Sequence, residues 1–275
     1  MHTTQPSPHK PPSIWRAPRL SLRWIPVFRR NLLVWRKLMG PSLVGNIAEP
    51  LITLLAFGWG LGALVGQVPM SDGQALPYLV FLASGSVCMS AMNAASFEAL
   101  YSAFSRMQMQ RTWDGIMNAP IALDDVVLAE MLWAAFKSLF TTTVILAVML
   151  ALSISHSLHL MLALPLLALT GMVFASIALI FNALARGYDF FTYYFTLYLT
   201  PTTFLSGVFF PRDQLPPLLH TLSQWLPLTA AVELMRPLFL GQWPPQALQH
   251  LGVLLGYGVG SFWLALALTR RRFKA

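Results

Sequence analysis

Six apolar runs alternate with short polar stretches along the chain, at about residues 47–66, 76–97, 126–152, 160–183, 190–210 and 247–268. Each is near the ~20 residues that a helix needs to cross a bilayer. The pattern predicts an all-α membrane protein of six transmembrane helices. One further helix is predicted ahead of them, at residues 26–40. There Phe28, Leu32, Trp35 and Met39 share one face, while Arg29, Arg30, Arg36 and Lys37 share the opposite arc. Four charges exclude a span, so this segment reads as an amphipathic helix lying in the interface, its basic side toward anionic headgroups.

Two stretches break the rhythm. The longest polar interruption after the N-terminus is residues 98–125, between spans 2 and 3. Within it Ser105 to Met117 is helix-compatible, and Asn118–Ala119–Pro120 stops it. Met107, Arg111, Asp114 and Asn118 line one face of that helix, and Met109, Trp113 and Ile116 another. Such a helix either exposes its Trp, Met and Ile as a knob for a partner's groove or lies on the membrane surface. The second stretch is 211–246, with Pro211, Pro216, Pro217, Pro227, Pro237, Pro244 and Pro245 separating apolar pieces too short to span. Short helices dipping into the outer leaflet are expected, with Trp225 and Trp243 at headgroup depth.

The resulting division is a polar, flexible tail over 1–25, the interfacial helix over 26–40, a six-span domain over 41–270 and a basic tail over 271–275. Small residues recur where helices should pack closely: Gly58, Gly60, Gly62 and Gly66 in span 1, Ser84, Ser86 and Ser90 in span 2, and Gly252, Gly256 and Gly260 in span 6. Pro201 should kink span 5. Glu130 and Lys137 lie two turns apart on one face of span 3, where snorkelling to the interface is favoured over a substrate role. The aromatic start of span 5, FFTYYFTLYL, is read first as an interfacial belt and second as a path for an amphipathic ligand. Asn93, Phe97, Tyr194, Tyr198 and Phe204 are the candidates for that path.

Composition agrees with the pattern. The chain is 56% hydrophobic and 10% charged, against about 25% charged in soluble domains. The net charge of +8 does not mark a nucleic-acid binder, because the cations flank apolar runs. Fifteen of the 18 Lys and Arg fall on the side of the membrane that holds both termini. The positive-inside rule therefore places the termini and the 98–125 loop in the cytoplasm. No Walker motif, zinc-protease motif, paired-cysteine motif or nucleophile elbow is present. His156 and His159 lack a carboxylate or thiol companion, and Cys88 is alone. Glu49, Glu98, Glu130 and Asp189 map near the cytoplasmic ends of spans, so the carboxylate array of an ion-coupled carrier is not evident. A membrane-embedded lipid-modifying enzyme would need a His, Asp or Ser cluster at one depth, and none is visible. The chain transports or binds, and its energy source lies elsewhere.

The segment QRTWDGIMNAPIALDDVVLAE, with the preceding SAMNAASFEALYSAFSRM and the earlier FGWGLG, resembles the NodJ-type permeases of the ABC-2 exporter family. The likeness covers nearly the whole chain in layout and is most specific from Ser90 to Lys137. The resemblance implies six spans behind an interfacial helix and short re-entrant helices between spans 5 and 6, as in type V exporters. It implies a bacterial inner-membrane protein that pairs with itself and with two copies of a NodI-like ATPase, which would hold ATP and Mg. It implies that the loop after span 2 docks on that ATPase through Arg111, Thr112, Trp113, Asp114, Ile116, Met117 and Pro120. Arg186 to Asp189 would make a second contact. NodJ-type permeases export lipo-oligosaccharides, and related permeases export drugs, lipids or polysaccharide. No residue here selects among these cargoes.

Overall fold

The computed structural model describes residues 14–37, 39–40, 48, 51–69, 75–155 and 157–274. Four helices are long and apolar enough to cross a membrane: α3 (Tyr78–Met109), α5 (Leu123–Ala151), α6 (His159–Leu184) and α10 (Ala247–Lys274). Around them stand α1 (Trp24–Arg36), α2 (Leu51–Val65), α4 (Thr112–Met117), α7 (residues 191–205), α8 (Pro217–Ser223) and α9 (Pro227–Phe239). α2 and α7 match the first and fifth apolar runs, but at 15 residues each they are only about 22 Å long, short of the ~30 Å hydrocarbon core. The expected start of the first run, including Glu49 and Pro50, falls outside the described residues, as do His156 and residues 1–13 of the expected tail. The polar loop expected after it carries a two-stranded hairpin, β1 (Gln67–Pro69) against β2 (Ala75–Pro77).

α6 is the hub. It packs on α3, α5, α9 and α10. α3 has 72% of its apolar window buried and α10 only 28%, so α3 is central and α10 peripheral. The serines foreseen as helix-facing are buried, and each hydroxyl bonds a carbonyl one turn back: Ser84 to Phe81, Ser86 to Ala83 and Ser90 to Ser86. Ser138 of α5 reaches across to the Ala91 carbonyl of α3 at 2.8 Å.

The glycines divide differently from the sequence expectation. Gly252, Gly256 and Gly260 have no atom near the place a Cβ would take. They line an open apolar groove of about 590 Å³ with Trp225 and Tyr257. The close approaches occur at Gly171, where a Cβ would stand 3.2 Å from the Ala135 backbone, and at Gly85, 2.9 Å from the Val208 backbone. Of the span-1 glycines, Gly58 is the buried one, against Leu79.

α1 has part of the predicted face: Met39 is exposed, and Arg30, expected on the basic arc, is half-buried and bonds Asn31. Phe28 and Trp35 pack edge-on against Trp133, Phe136 and Phe140 of α5, and Arg29, Arg36 and Lys37 are exposed. α8 and α9 are the short helices expected in the proline-rich region, with Trp225 and Trp243 exposed. Pro201 stands just after a wide turn, Tyr194–Leu199, whose hydrogen bonds run five residues back.

α3 departs most from expectation. It does not stop near Phe97. It runs on to Met109 through two wide turns, Glu98–Ser102 and Ser105–Met109. The polar side chains that looked like a loop are satisfied within the fold, so nothing forces the helix to end. It ends at Arg111, whose φ of +48° is left-handed. The separate α4 follows, and Asn118–Pro120 closes it as expected.

Candidate functional site

A buried ionic cluster joins α3 and α5 at the end of the bundle that holds the C-terminus of α10. Glu98 accepts four donors: Arg106 Nη2 at 3.0 Å and Trp133 Nε1 at 2.8 Å on one oxygen, Lys137 Nζ at 2.7 Å and Ser102 Oγ at 2.9 Å on the other. Glu130 accepts Arg106 Nε at 3.0 Å and Nη2 at 2.6 Å, and Trp113 Nε1 at 3.1 Å. Both carboxylates are almost wholly buried. Arg106 bridges them, which is the bidentate geometry that suits guanidinium.

Lys137 is therefore held by an ion pair, a partner that the sequence reading allowed beside the snorkelling or interfacial placement it favoured. It turns inward to Glu98, 39 residues earlier, because a carboxylate at the same depth offers a partner. Glu98 and Glu130 emerge here as site residues, although the sequence reading placed both near the cytoplasmic ends of spans and gave neither a site role. The available signal was four ionisable residues within or beside apolar runs, since such charges pair or work. What pairs with what depends on α3 and α5 lying side by side.

The predicted coupling segment hangs from this cluster. Trp113 is 1% exposed, not a protruding knob. Its N–H is spent on Glu130 and its ring stacks on Phe273 at 6.1 Å. That is the correction the structure makes to the exposed face expected of Met109, Trp113 and Ile116. Of the three, Met109 is exposed and Ile116 half-buried. Arg111, Asp114 and Pro120 are exposed, while Thr112 and Met117 are half-buried. The Pro120 carbonyl accepts from Arg23, just ahead of α1.

Arg186 and Asp189 lie exposed in the turn after α6. The end of α10 brings that turn and α4 together. Arg272 donates to the carbonyls of Asn182 and Ala185, at 2.9 and 2.6 Å, and to Gln108 of α3 at 3.1 Å. A cation on free helix-end carbonyls is a favourable cap. Its neighbour Phe273 carries Trp113. So residues 271–274, assigned above to a basic tail, continue α10 as a helical strut.

The N-terminal segment is held in the same way. Asp124 accepts Arg270 at 2.6 and 2.9 Å and the Arg19 amide at 2.9 Å. Asp125 takes the amide and hydroxyl of Ser21, both at 2.7 Å. Arg270 also donates to the carbonyls of Ile14 and Arg16. Residues 14–21, assigned above to a flexible tail, are thus fastened across the starts of α5 and the end of α10. On the opposite part of the fold, Arg236 donates to the Gly207 carbonyl at 2.7 Å and lies 3.9 Å over the Phe81 ring, and Arg212 pairs with Glu233.

The expected ligand-path residues do not form one surface. Phe97 and Phe204 are exposed, and Asn93 and Tyr198 are half-buried. Tyr194 is fully buried, bonded to Ser96 at 2.9 Å and packed on Phe181, so its ring belongs to the core. Phe97 lies 4.8 Å from Phe195, and with Tyr101 these rings join α3 to α7.

Comparison with known proteins agrees with this architecture. The profile of a family described as ABC-2 type transporter matches residues 24–240. Nodulation protein J of Rhizobium leguminosarum bv. trifolii is 46% identical over 94% of this chain and 97% of its own length. Nodulation protein J of Bradyrhizobium diazoefficiens is 43% identical over 93% and 95%. The inner membrane transport permease YadH of Escherichia coli is 24% identical over 90% and 93%. The chain belongs to the ABC-2 type transporter family and is a multi-pass membrane subunit of an ABC transporter.

Proposed function

We propose that this chain is the permease of an ATP-driven exporter that moves an amphipathic molecule, such as a lipo-oligosaccharide, out of the cytoplasm or the inner leaflet. In this reading α2 and α7, extended by flanking residues, complete six spans, and α8 and α9 re-enter the outer leaflet. Two copies pair, two NodI-like ATPases bind the cytoplasmic side, and ATP with Mg stays on those subunits. The relatives named for nodulation, at over 40% identity across the chain, support that cargo class.

The observation that carries the mechanism is the suspension of α4 from Glu130. Asp114 of α4 and Arg111 just ahead of it are exposed and could meet an ATPase. The inward face of α4, through Trp113, is bonded to the carboxylate that Arg106 ties to Glu98. A displacement of α4 cannot leave α3 and α5 in place without breaking charge-assisted hydrogen bonds in a buried site. Force on the loop is passed to α5 through Glu130 and to α3 through Arg106. An ion-coupled carrier is less well supported: the two carboxylates of the cluster are saturated by cations and indoles.

The test is co-expression with a NodI-type ATPase from the same genome. The expected result is a complex with two of each subunit, whose ATP hydrolysis changes when Asp114 is replaced by Arg. A permease that purifies alone from every such ATPase sinks the reading.

A further inference from the structure

A polar cavity of about 370 Å³ lies between α1 and the ionic cluster, bounded by Arg30, Asn31, Trp35, Glu98, Arg106 and Lys137. Its hydrogen-bonding inventory is one-sided. The Glu98 carboxylate is filled by its four donors. The Asn31 carbonyl oxygen accepts from Arg30 Nη1 at 3.1 Å. That bond orients the amide so that Nδ2 is left over. Asn31 is 4% exposed, and Asn31 Nδ2 and Trp35 Nε1 are buried without a partner. What stands unsatisfied is therefore donors, beside a wall on which Arg106 and Lys137 are neutralised by Glu98 and Glu130 and Arg30 is the one cation without a carboxylate partner among the described residues. Buried donors call for an acceptor, and Arg30 beside them favours an anion.

Depth says which anion. Glu98 is 20 residues along α3 from Tyr78, about 30 Å, one hydrocarbon thickness. The cavity thus stands at headgroup level. Val34 and Tyr101 form its apolar rim, and both are exposed. We propose that the cavity holds the phosphate of one anionic membrane phospholipid, with Asn31, Trp35 and Arg30 donating to it and an acyl chain leaving past Val34. The site stands independently of the export reading, since it needs neither an ATPase nor a cargo.

The test uses the purified full chain, delipidated in detergent, with native mass spectrometry to count retained lipid. Phosphatidylglycerol and phosphatidylcholine are added back separately. One phosphatidylglycerol per chain should stay bound where phosphatidylcholine does not. Asn31→Asp replaces a donor by an acceptor at equal size, and Trp35→Phe keeps the ring but removes the N–H. Each should weaken retention about tenfold or more. Leu33→Ala, on the exposed side of α1, should leave it unchanged. Thermal unfolding of each variant separates lost binding from lost fold. Equal retention of the two lipids, or undiminished binding by both folded variants, overturns the proposal. So does displacement of phosphatidylglycerol by excess inorganic phosphate, which would make the cavity a site for soluble anions.

Discussion

Trp113 donates its indole N–H to Glu130 across 3.1 Å, joining the helix of the connecting loop to the first third of α5. The same ring stacks on Phe273, the penultimate described residue of α10. Two substitutions separate these roles. Trp113→Phe keeps the stack and loses the donor, for an expected cost of about 1.5–3 kcal/mol. Trp113→Ala loses both and should cost about 3–5 kcal/mol. Thermal unfolding in detergent reads the difference. Equal melting temperatures for the wild type and the alanine variant would remove the loop's anchor.

Glu98 and Lys137 should behave as a unit. Glu98→Gln leaves Lys137 and Arg106 short of a buried counter-charge, and should destabilise by about 3–5 kcal/mol. Lys137→Met should be costly for the mirror reason. The double variant should cost less than the two together, with a coupling of about 1–3 kcal/mol in a double-mutant cycle. Simple additivity would mean that the 2.7 Å contact contributes nothing.

Two glycines should respond in opposite ways to the same change. At Gly171 a methyl group meets the Ala135 backbone at 3.2 Å, and neither helix can yield easily. Gly171→Ala should cost about 1–3 kcal/mol. Gly256 faces open space, so Gly256→Ala should be neutral or stabilise by up to about 1 kcal/mol through helix propensity. Unfolding midpoints measured side by side decide it.

Arg270 should control access to the N-terminal segment. With Arg270→Met, Asp124 loses its partner and the Ile14 and Arg16 carbonyls lose their donor. Trypsin should then cut at Arg16 or Arg19 about tenfold faster, with the rest of the fold intact. Unchanged cleavage kinetics would mean that the segment is held by other means.

Asp114→Arg should leave stability within about 0.5 kcal/mol, since the side chain is exposed and has no ion-pair partner among the described residues. With the proposed ATPase bound, the same change should reduce the permease's effect on ATP hydrolysis. A melting temperature that drops sharply would place Asp114 in the fold instead of at the docking face.

Much of this was legible in the sequence, for reasons that can be named. The four long helices follow from apolar length alone. The face of α1 follows from the spacing of Phe28 and Trp35. The proline-rich segment announced short helices because proline limits where a helix can run. The cluster was not legible in the same way. Glu98 and Lys137 are 39 residues apart, and Arg106 and Glu130 are 24 apart. Pattern reading treats each charge as a break in an apolar run. Only the pairing of α3 with α5 turns four breaks into one neutralised site. For the same reason α3 looked as if it ended at its first charge. Trp113 misled by its helical position, which says which way a side chain points but not what waits there.

The wide turns in α3 have a mechanical meaning. Each accommodates one residue more than an ordinary α turn. If such a turn tightens, everything beyond it rotates by about 100° and shifts by about 1.5 Å. Glu98 opens the first wide turn and Arg106 lies in the second. The first wide turn therefore lies between Glu98 and Arg106, and tightening it would swing Arg106 off Glu130. If α3 moves at these turns, it shifts by whole residues rather than by bending.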